Sequence, residues 1–147
     1  MKKLSWVIVY SFMFGFLFFM IIASLVSNRM EPAAVVCNDY FVEFDGLIYD
    51  QIPYSNIRSI DYIRNGEIRR SGKLDGLEYK NYVCGHTKVI GYGKCDVFYY
   101  ISNPNFIVLK TKDKTILYNE KSATETEKMF DEISAHIPKR SEESKNE

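Results

Sequence analysis

The residues best suited to chemistry are a histidine and two cysteines in the second half of the chain. His86 follows Cys84 by two positions and precedes Cys95 by nine. An imidazole can activate a thiol as a nucleophile, and the same side chains bind zinc. A zinc site needs about four ligands, and neither a second histidine nor a C-x-x-C pair lies nearby. A Cys–His nucleophile stays open, because its members would meet in space rather than in sequence.

The other candidate groups form no recognisable catalytic pattern. The glycines of Gly91-Tyr92-Gly93 lack the third glycine and the following helix of a dinucleotide fingerprint, so this segment predicts a turn. We predict that the protein is not an enzyme and binds no metal or cofactor; a small enzyme using His86 is the least favoured alternative. The carboxylates without an evident acid–base partner are Asp61, Asp75, Glu78 and Asp96.

The cysteine count limits disulfide formation. Three cysteines cannot all pair within one chain. A bridge between Cys84 and Cys95 stays open, although a hairpin that bends at the Gly91 turn would place Cys95 opposite about Val89. Buried free thiols are the alternative.

One concentration of basic residues could bind a partner. It has two interpretations: the solvated face of a hairpin, or a contact for an acidic protein or a lipid headgroup. These candidate partner or lipid contacts are Arg58, Arg64, Arg69, Arg70 and Lys73.

Charge and aromatic content narrow the class of partner. Residues 31–147 carry 16 basic and 19 acidic side chains, a formal charge of −3. Such a domain is poorly suited to nucleic acid, which attracts basic surfaces. The chain has 11 tyrosines, more than a small core needs. An exposed tyrosine belt would suit a protein partner, a membrane surface or self-association.

The N-terminal segment predicts a membrane anchor. Residues 4–26 contain no charged side chain and, at about 1.5 Å per helical residue, exceed the roughly 30 Å hydrocarbon core of a bilayer. A signal peptide is the alternative, but its apolar region is usually shorter. Lys2 and Lys3 precede the segment and Arg29 follows it, which favours a single-pass protein of the cell membrane with a cytoplasmic N-terminus and the domain on the outer face.

The remaining chain predicts strands followed by one helix. We divide it into a flank at 1–3, the anchor at 4–26, a linker at 27–35, a domain at 36–137 and a polar tail at 138–147. Strands are predicted at 36–44, 47–49, 57–64, 67–70, 82–90, 94–101, 106–111 and 115–119, with a break at 51–54 and a long loop at 71–80. Hairpin turns are expected at Asp45-Gly46 and Asn65-Gly66. A capping box at Ser122 and Glu125 opens a helix that ends before Pro138.

Three segments together resemble a known family. They are residues 45–57, from the Asp45-Gly46 turn through Ile52-Pro53-Tyr54; residues 85–101, with Gly85-His86-Thr87 and the Gly91 turn; and residues 107–114 with the capped helix. The combination is similar to the bacterial pleckstrin-homology-like (PH-like) domains beside membrane helices. That resemblance implies a mainly β, α+β fold: a bent antiparallel sheet or partly open barrel of about seven strands, closed by a C-terminal amphipathic helix. It implies no catalysis. The Asp45-Gly46 loop lacks the basic residues with which eukaryotic relatives bind phosphoinositides.

The sequence therefore predicts a membrane-anchored, non-catalytic binding or assembly module. A lipid-binding sensor that uses the basic residues and the tyrosines is the main alternative.

Overall fold

The computed structural model describes residues 2–29 and 32–138, and it falls into two compact units that divide after Glu31. The first unit contains helix α1, Lys2–Arg29. Its segment Ile8–Val26 is long and apolar enough to span a membrane, and its side chains are exposed. The predicted apolar helix at 4–26 is confirmed. Most of the predicted polar tail, 139–147, lies outside the described residues.

The second unit begins with a three-stranded antiparallel sheet. Its strands are β1 (Ala34–Cys37), β2 (Phe41–Asp45) and β3 (Asp50–Pro53), in the order β1-β2-β3. The prediction of one strand at 36–44 was wrong: the Asn38 side chain accepts hydrogen bonds from the Tyr40 and Phe41 amides and turns the chain. The predicted strand at 47–49 is instead a loop, and the predicted break at 51–54 is largely β3.

A six-stranded sheet forms the rest of the β structure. Its order is β4-β8-β9-β7-β6-β5, and β7 pairs with β9 in parallel while all other neighbours are antiparallel. The expected fold class is confirmed. The described residues form nine strands in two sheets, whereas we expected about seven strands in one bent antiparallel sheet. The described residues form no closed barrel. The strands are β4 (Ile57–Ile63), β5 (Asp75–Tyr79), β6 (Tyr82–Val89), β7 (Gly93–Tyr100), β8 (Phe106–Thr111) and β9 (Thr115–Tyr118).

Three predictions around residues 65–80 were wrong. Asn65-Gly66 does not join two paired strands, because β4 pairs with β8. Residues 67–70 do not form the predicted strand, and Arg70 forms only an isolated bridge to Val89. The predicted loop at 71–80 contains β5, which pairs with β6 through Gly76 opposite Gly85. A Cβ on Gly76 would lie 2.2 Å from the Cys84 carbonyl oxygen. Gly76 is therefore needed for the close pairing of β5 with β6.

Helix α2, Ala123–His136, closes the domain as predicted. The Ser122 hydroxyl accepts a hydrogen bond from the Glu125 amide and donates one to the Glu125 carboxylate. Ile133 is fully buried in a core formed between α2, the small sheet and one face of the large sheet.

A second core lies on the other face of the large sheet, where Ile68 and Leu74 cover it. Cys84 belongs to the first core and Cys95 to the second, so the sheet separates them. All three cysteines are free. Cys95 lies opposite Thr87 rather than Val89.

Candidate functional site

Most of the basic cluster identified from the sequence is neutralised by neighbouring carboxylates. Arg64 lies 2.8 Å from Glu127 of α2. Arg69 pairs with Glu67 at 2.6 Å, and Arg70 pairs with Glu78 at 2.6 Å. The two remaining members, Arg58 and Lys73, line two different neighbouring pockets. The five residues therefore do not form one positive surface.

A different set of cations converges where β4 begins and the β8–β9 turn lies. We call this pocket of about 360 Å³ the cationic groove. Among the residues that the structure describes, no carboxylate lies within 4.0 Å of four of its cations, Arg58, Lys94, Lys110 and Lys112. Its lining is Arg58, Ser59, Lys94, Lys110, Thr111, Lys112, Asp113, Lys114 and Thr115.

Local backbone structure positions these side chains. The pairing of β4 with β8 shifts register between Ile57 and Ser59, so Arg58 sits in a bulge. The Thr111 hydroxyl accepts hydrogen bonds from the Asp113 and Lys114 amides and donates one to the Lys114 carbonyl. This bonding fixes the turn that carries Lys112. Parallel pairing of Cys95 with Thr115 brings the start of β7, and hence Lys94, to the same place.

A larger cleft of about 610 Å³ adjoins the groove and shares Lys94, Asp113 and Lys114 with it. His86 enters this cleft from β6, and its Nδ1 lies 2.5 Å from Asp96 Oδ1. The other oxygen of Asp96 lies 2.9 Å from Lys114 Nζ. The structure therefore joins His86 and Asp96, two residues that the sequence did not pair. The remaining lining residues are Ser71, Gly72, Lys73, Thr87, Lys88 and Cys95.

Lys114 is the centre of this charge network. Its Nζ also lies 2.5 Å from Asp50 Oδ2. Partial burial alone lowers the pKa of Lys114, but hydrogen bonds to Asp50 and Asp96 outweigh that effect and hold the pKa above its ordinary value. Lys114 is thus charged and already paired with two carboxylates. A ligand in the groove would therefore pair with the other cations, whose charges are not compensated in this way.

The thiols near His86 are poorly suited to nucleophilic catalysis. Burial raises the pKa of Cys95 to about 11, with a smaller contribution from Asp96. Burial likewise raises the pKa of Cys84. Both thiols are therefore protonated at neutral pH, whereas the attacking species is the thiolate. In the described ranges 2–29 and 32–138, no group of three His, Cys, Asp or Glu residues is placed to hold a metal ion.

The tyrosines do not form the exposed belt that the sequence suggested. Tyr54, Tyr82 and Tyr99 are buried, and Tyr62, Tyr92 and Tyr100 are half-buried, because they pack in or against the two cores. Within the described part of the domain, the exposed tyrosines are Tyr40, Tyr49 and Tyr79.

Sequence reasoning missed four cations of the groove: Lys94, Lys110, Lys112 and Lys114. One signal was available, since the segment Lys110-Thr111-Lys112-Asp113-Lys114 places three lysines around one hairpin turn. The approach of Arg58 and Lys94 to that turn could not be inferred without the strand order.

Comparison with known proteins gives one family match. The family model described as "Bacterial PH domain" matches residues 41–129, which is 89 of the 147 residues. No curated protein and no solved structure matches the chain. The matched region runs from β2 into α2 and includes the groove and the cleft.

Proposed function

The chain belongs to the bacterial PH domain family, and on that premise we propose that it is a membrane-anchored, non-catalytic binding and assembly module. Helix α1 holds the domain at the bilayer, and the cationic groove receives the ligand. The ligand is an acidic segment of another protein in the same membrane. The anchor's orientation belongs to this proposal: Lys2 and Lys3 keep the N-terminus in the cytoplasm and the domain acts on the outer face.

The observation that carries the proposal is the contrast between paired and unpaired cations. Arg64, Arg69 and Arg70 each have a carboxylate within 2.8 Å. The groove instead gathers cations that lack such partners among the described residues, on a domain of net negative charge. Like charges brought together repel one another, and an anionic ligand relieves that repulsion.

The chemistry of the groove suits an acidic segment. Ser59 and Thr115 add hydroxyl groups that can bond to carboxylate oxygens or to peptide groups. Each exposed ion pair contributes only about 0.2–1 kcal/mol, so several are needed. Confinement of both proteins to one membrane raises the effective ligand concentration and makes a modest affinity sufficient.

A second candidate ligand is an anionic lipid headgroup. It is favoured by the contact between Lys114 and Asp50, which places the groove beside the loop that carries the exposed Tyr49. Lysines near a membrane surface gain about 1 kcal/mol each from anionic lipid. This candidate uses the same groove, and the experiment below separates the two.

The test compares two variants that each lose three positive charges. The groove variant carries Lys94→Gln, Lys110→Gln and Lys112→Gln; the control carries Arg64→Gln, Arg69→Gln and Arg70→Gln. Each tagged full-length protein is purified from native membranes in mild detergent, and co-purifying proteins and phospholipids are quantified. Loss of three contacts of about 0.5 kcal/mol each weakens binding roughly tenfold.

We expect the groove variant to lose specific partner proteins that the control retains. If only bound anionic phospholipid falls, the lipid candidate replaces the protein candidate. Full retention by the groove variant, or loss confined to the control, would show that the groove is not the ligand surface.

A further inference from the structure

The loop at residues 46–49, between β2 and β3, presents two apolar side chains to solvent. Leu47 is 41% exposed and Tyr49 is 59% exposed. Ile48, between them, packs against the core. The middle residue therefore holds the loop to the domain while its neighbours point outward.

The residue against which this loop packs is separated from the membrane anchor by only a few residues of chain. A Cβ built on Gly46 would lie 2.8 Å from the Ala33 Cβ, so the loop packs against the first residues of the domain. Ala33 follows Arg29, where α1 ends, by four positions. Four residues span at most about 14 Å even when fully extended. A tether of this length is short enough for the loop to reach the headgroup region of a bilayer that contains α1.

We propose that Leu47 and Tyr49 insert into the interfacial region of that bilayer and form a second membrane contact. Tyrosine is enriched at the membrane–water interface because its ring is amphipathic, and transfer of a leucine side chain out of water is favourable. The charges beside the loop permit this contact. Glu43, which interacts with the Tyr49 hydroxyl, and the exposed Asp45 can remain among the hydrated headgroups, and Asp50 is compensated by Lys114.

We identify lipid as the contact of Leu47 and Tyr49 because the loop is tethered to a membrane anchor. A tether of a few residues keeps the loop beside the bilayer at a high effective concentration, whereas a soluble partner would have to compete with that surface. The contact needs no anionic lipid and does not use the cationic groove. It would restrict the rotation of the domain about its tether and so set the direction in which the groove faces.

The experiment uses tryptophan fluorescence of the full-length protein in neutral phosphatidylcholine nanodiscs. The chain has one tryptophan, Trp6, which is first replaced by phenylalanine. Tyr49→Trp then reports on the loop. Tyr40→Trp is the matched control, because Tyr40 is 78% exposed and lies at the opposite end of the same small sheet. Both reporters share the same tether. Circular dichroism and the thermal midpoint verify that each variant is folded, and Leu47→Trp replaces Tyr49→Trp if that variant is not.

We expect brominated phosphatidylcholine to quench the loop reporter several-fold more than the control reporter, and acrylamide to show the reverse order. The emission of the loop reporter should also shift to shorter wavelength on reconstitution. Equal quenching of the two reporters by brominated lipid, or none of either, would overturn the proposal. Because no anionic lipid is present, a failure of groove binding does not affect this result.

Discussion

Lys114 Nζ lies 2.5 Å from Asp50 Oδ2, and this contact joins the β8–β9 turn of the large sheet to the first residue of β3 in the small sheet. The same ammonium group lies 2.9 Å from Asp96. The Asp50 and Asp96 side chains are only 14% and 10% exposed. One lysine therefore compensates two nearly buried carboxylates and links the two sheets beside the cleft.

Replacement of Lys114 by methionine should destabilise the domain. Removal of one partner leaves buried charges uncompensated, which typically costs about 3 kcal/mol or more. Urea unfolding measures the loss, and Lys112→Met is the matched control, with an expected change below about 0.5 kcal/mol.

Because the pKa of Lys114 is raised by its partners, the contribution of Lys114 to stability is complete below the ordinary lysine pKa and is lost as pH rises through the raised value. The difference between wild type and Lys114→Met should therefore shrink at strongly alkaline pH. Equal stabilities at pH 7 would refute the linking role.

The two apolar residues of α2 should differ in their effect on stability. Ile133 is fully buried, so Ile133→Ala should cost about 2–5 kcal/mol. Phe130 is half-buried and its ring centroid lies 5.5 Å from that of Tyr62, so Phe130→Ala should cost less. Asp131→Ala, at an exposed position, serves as the control. Changes below about 0.5 kcal/mol at both apolar positions would mean that α2 does not contribute to the core.

The thiols of Cys84 and Cys95 should resist modification while the domain is folded. They are 2% and 3% exposed, and burial raises the pKa of Cys95 to about 11. At pH 8, a thiol reagent should modify them orders of magnitude more slowly than an exposed cysteine introduced by Lys121→Cys. Denaturant should remove the difference. In the unfolded chain the two thiols ionise at a lower pH than in the folded domain. The free energy of unfolding should therefore fall progressively above about pH 8.5. Rapid modification of Cys95 in the folded protein would contradict the burial.

The proposed position of the domain on the outer face rests on the basic residues that flank α1 and can be tested by labelling. A membrane-impermeant maleimide should label Lys121→Cys in intact cells above the signal of the unsubstituted protein, in which Cys84 and Cys95 are buried and Cys37 is half-buried. The charge swap Lys2→Glu and Lys3→Glu with Ser27→Lys and Asn28→Lys should abolish that labelling. Labelling that requires permeabilisation in the unswapped protein would place the domain in the cytoplasm. An unchanged result after the swap would mean that flanking basic residues do not set the orientation.

Elements with strong local signals could be predicted from the sequence. The apolar run specified α1, the Gly91 turn specified the β6–β7 hairpin, and the Ser122 cap specified α2. Predictions failed where a contact distant in sequence decides the structure. Gly76 resembles a loop residue until β6 supplies Gly85 opposite it. The parallel pairing of β7 with β9 has no local signature, because it depends on the order in which strands join the sheet.

The candidate site was harder to predict for the same reason. The sequence drew attention to arginines that lie close together in the chain, and nearby glutamates neutralise Arg64, Arg69 and Arg70. The groove unites Arg58, Lys94 and Lys110, which come from three different strands. Only their proximity in space makes them a candidate anion site. His86 and Asp96 likewise meet because β6 and β7 pair in register.

The most direct test of the central claim is site-specific photocrosslinking in intact cells. A photoreactive amino acid replaces Ser59, inside the cationic groove, or Glu67, at an exposed position outside it. Each full-length protein is irradiated and its adducts are separated by mass. If the groove holds an acidic segment of a membrane partner, the probe at position 59 forms a discrete protein adduct, and Lys94→Gln with Lys110→Gln removes it. A discrete adduct only from position 67, or one from position 59 that survives the loss of both lysines, would contradict the account.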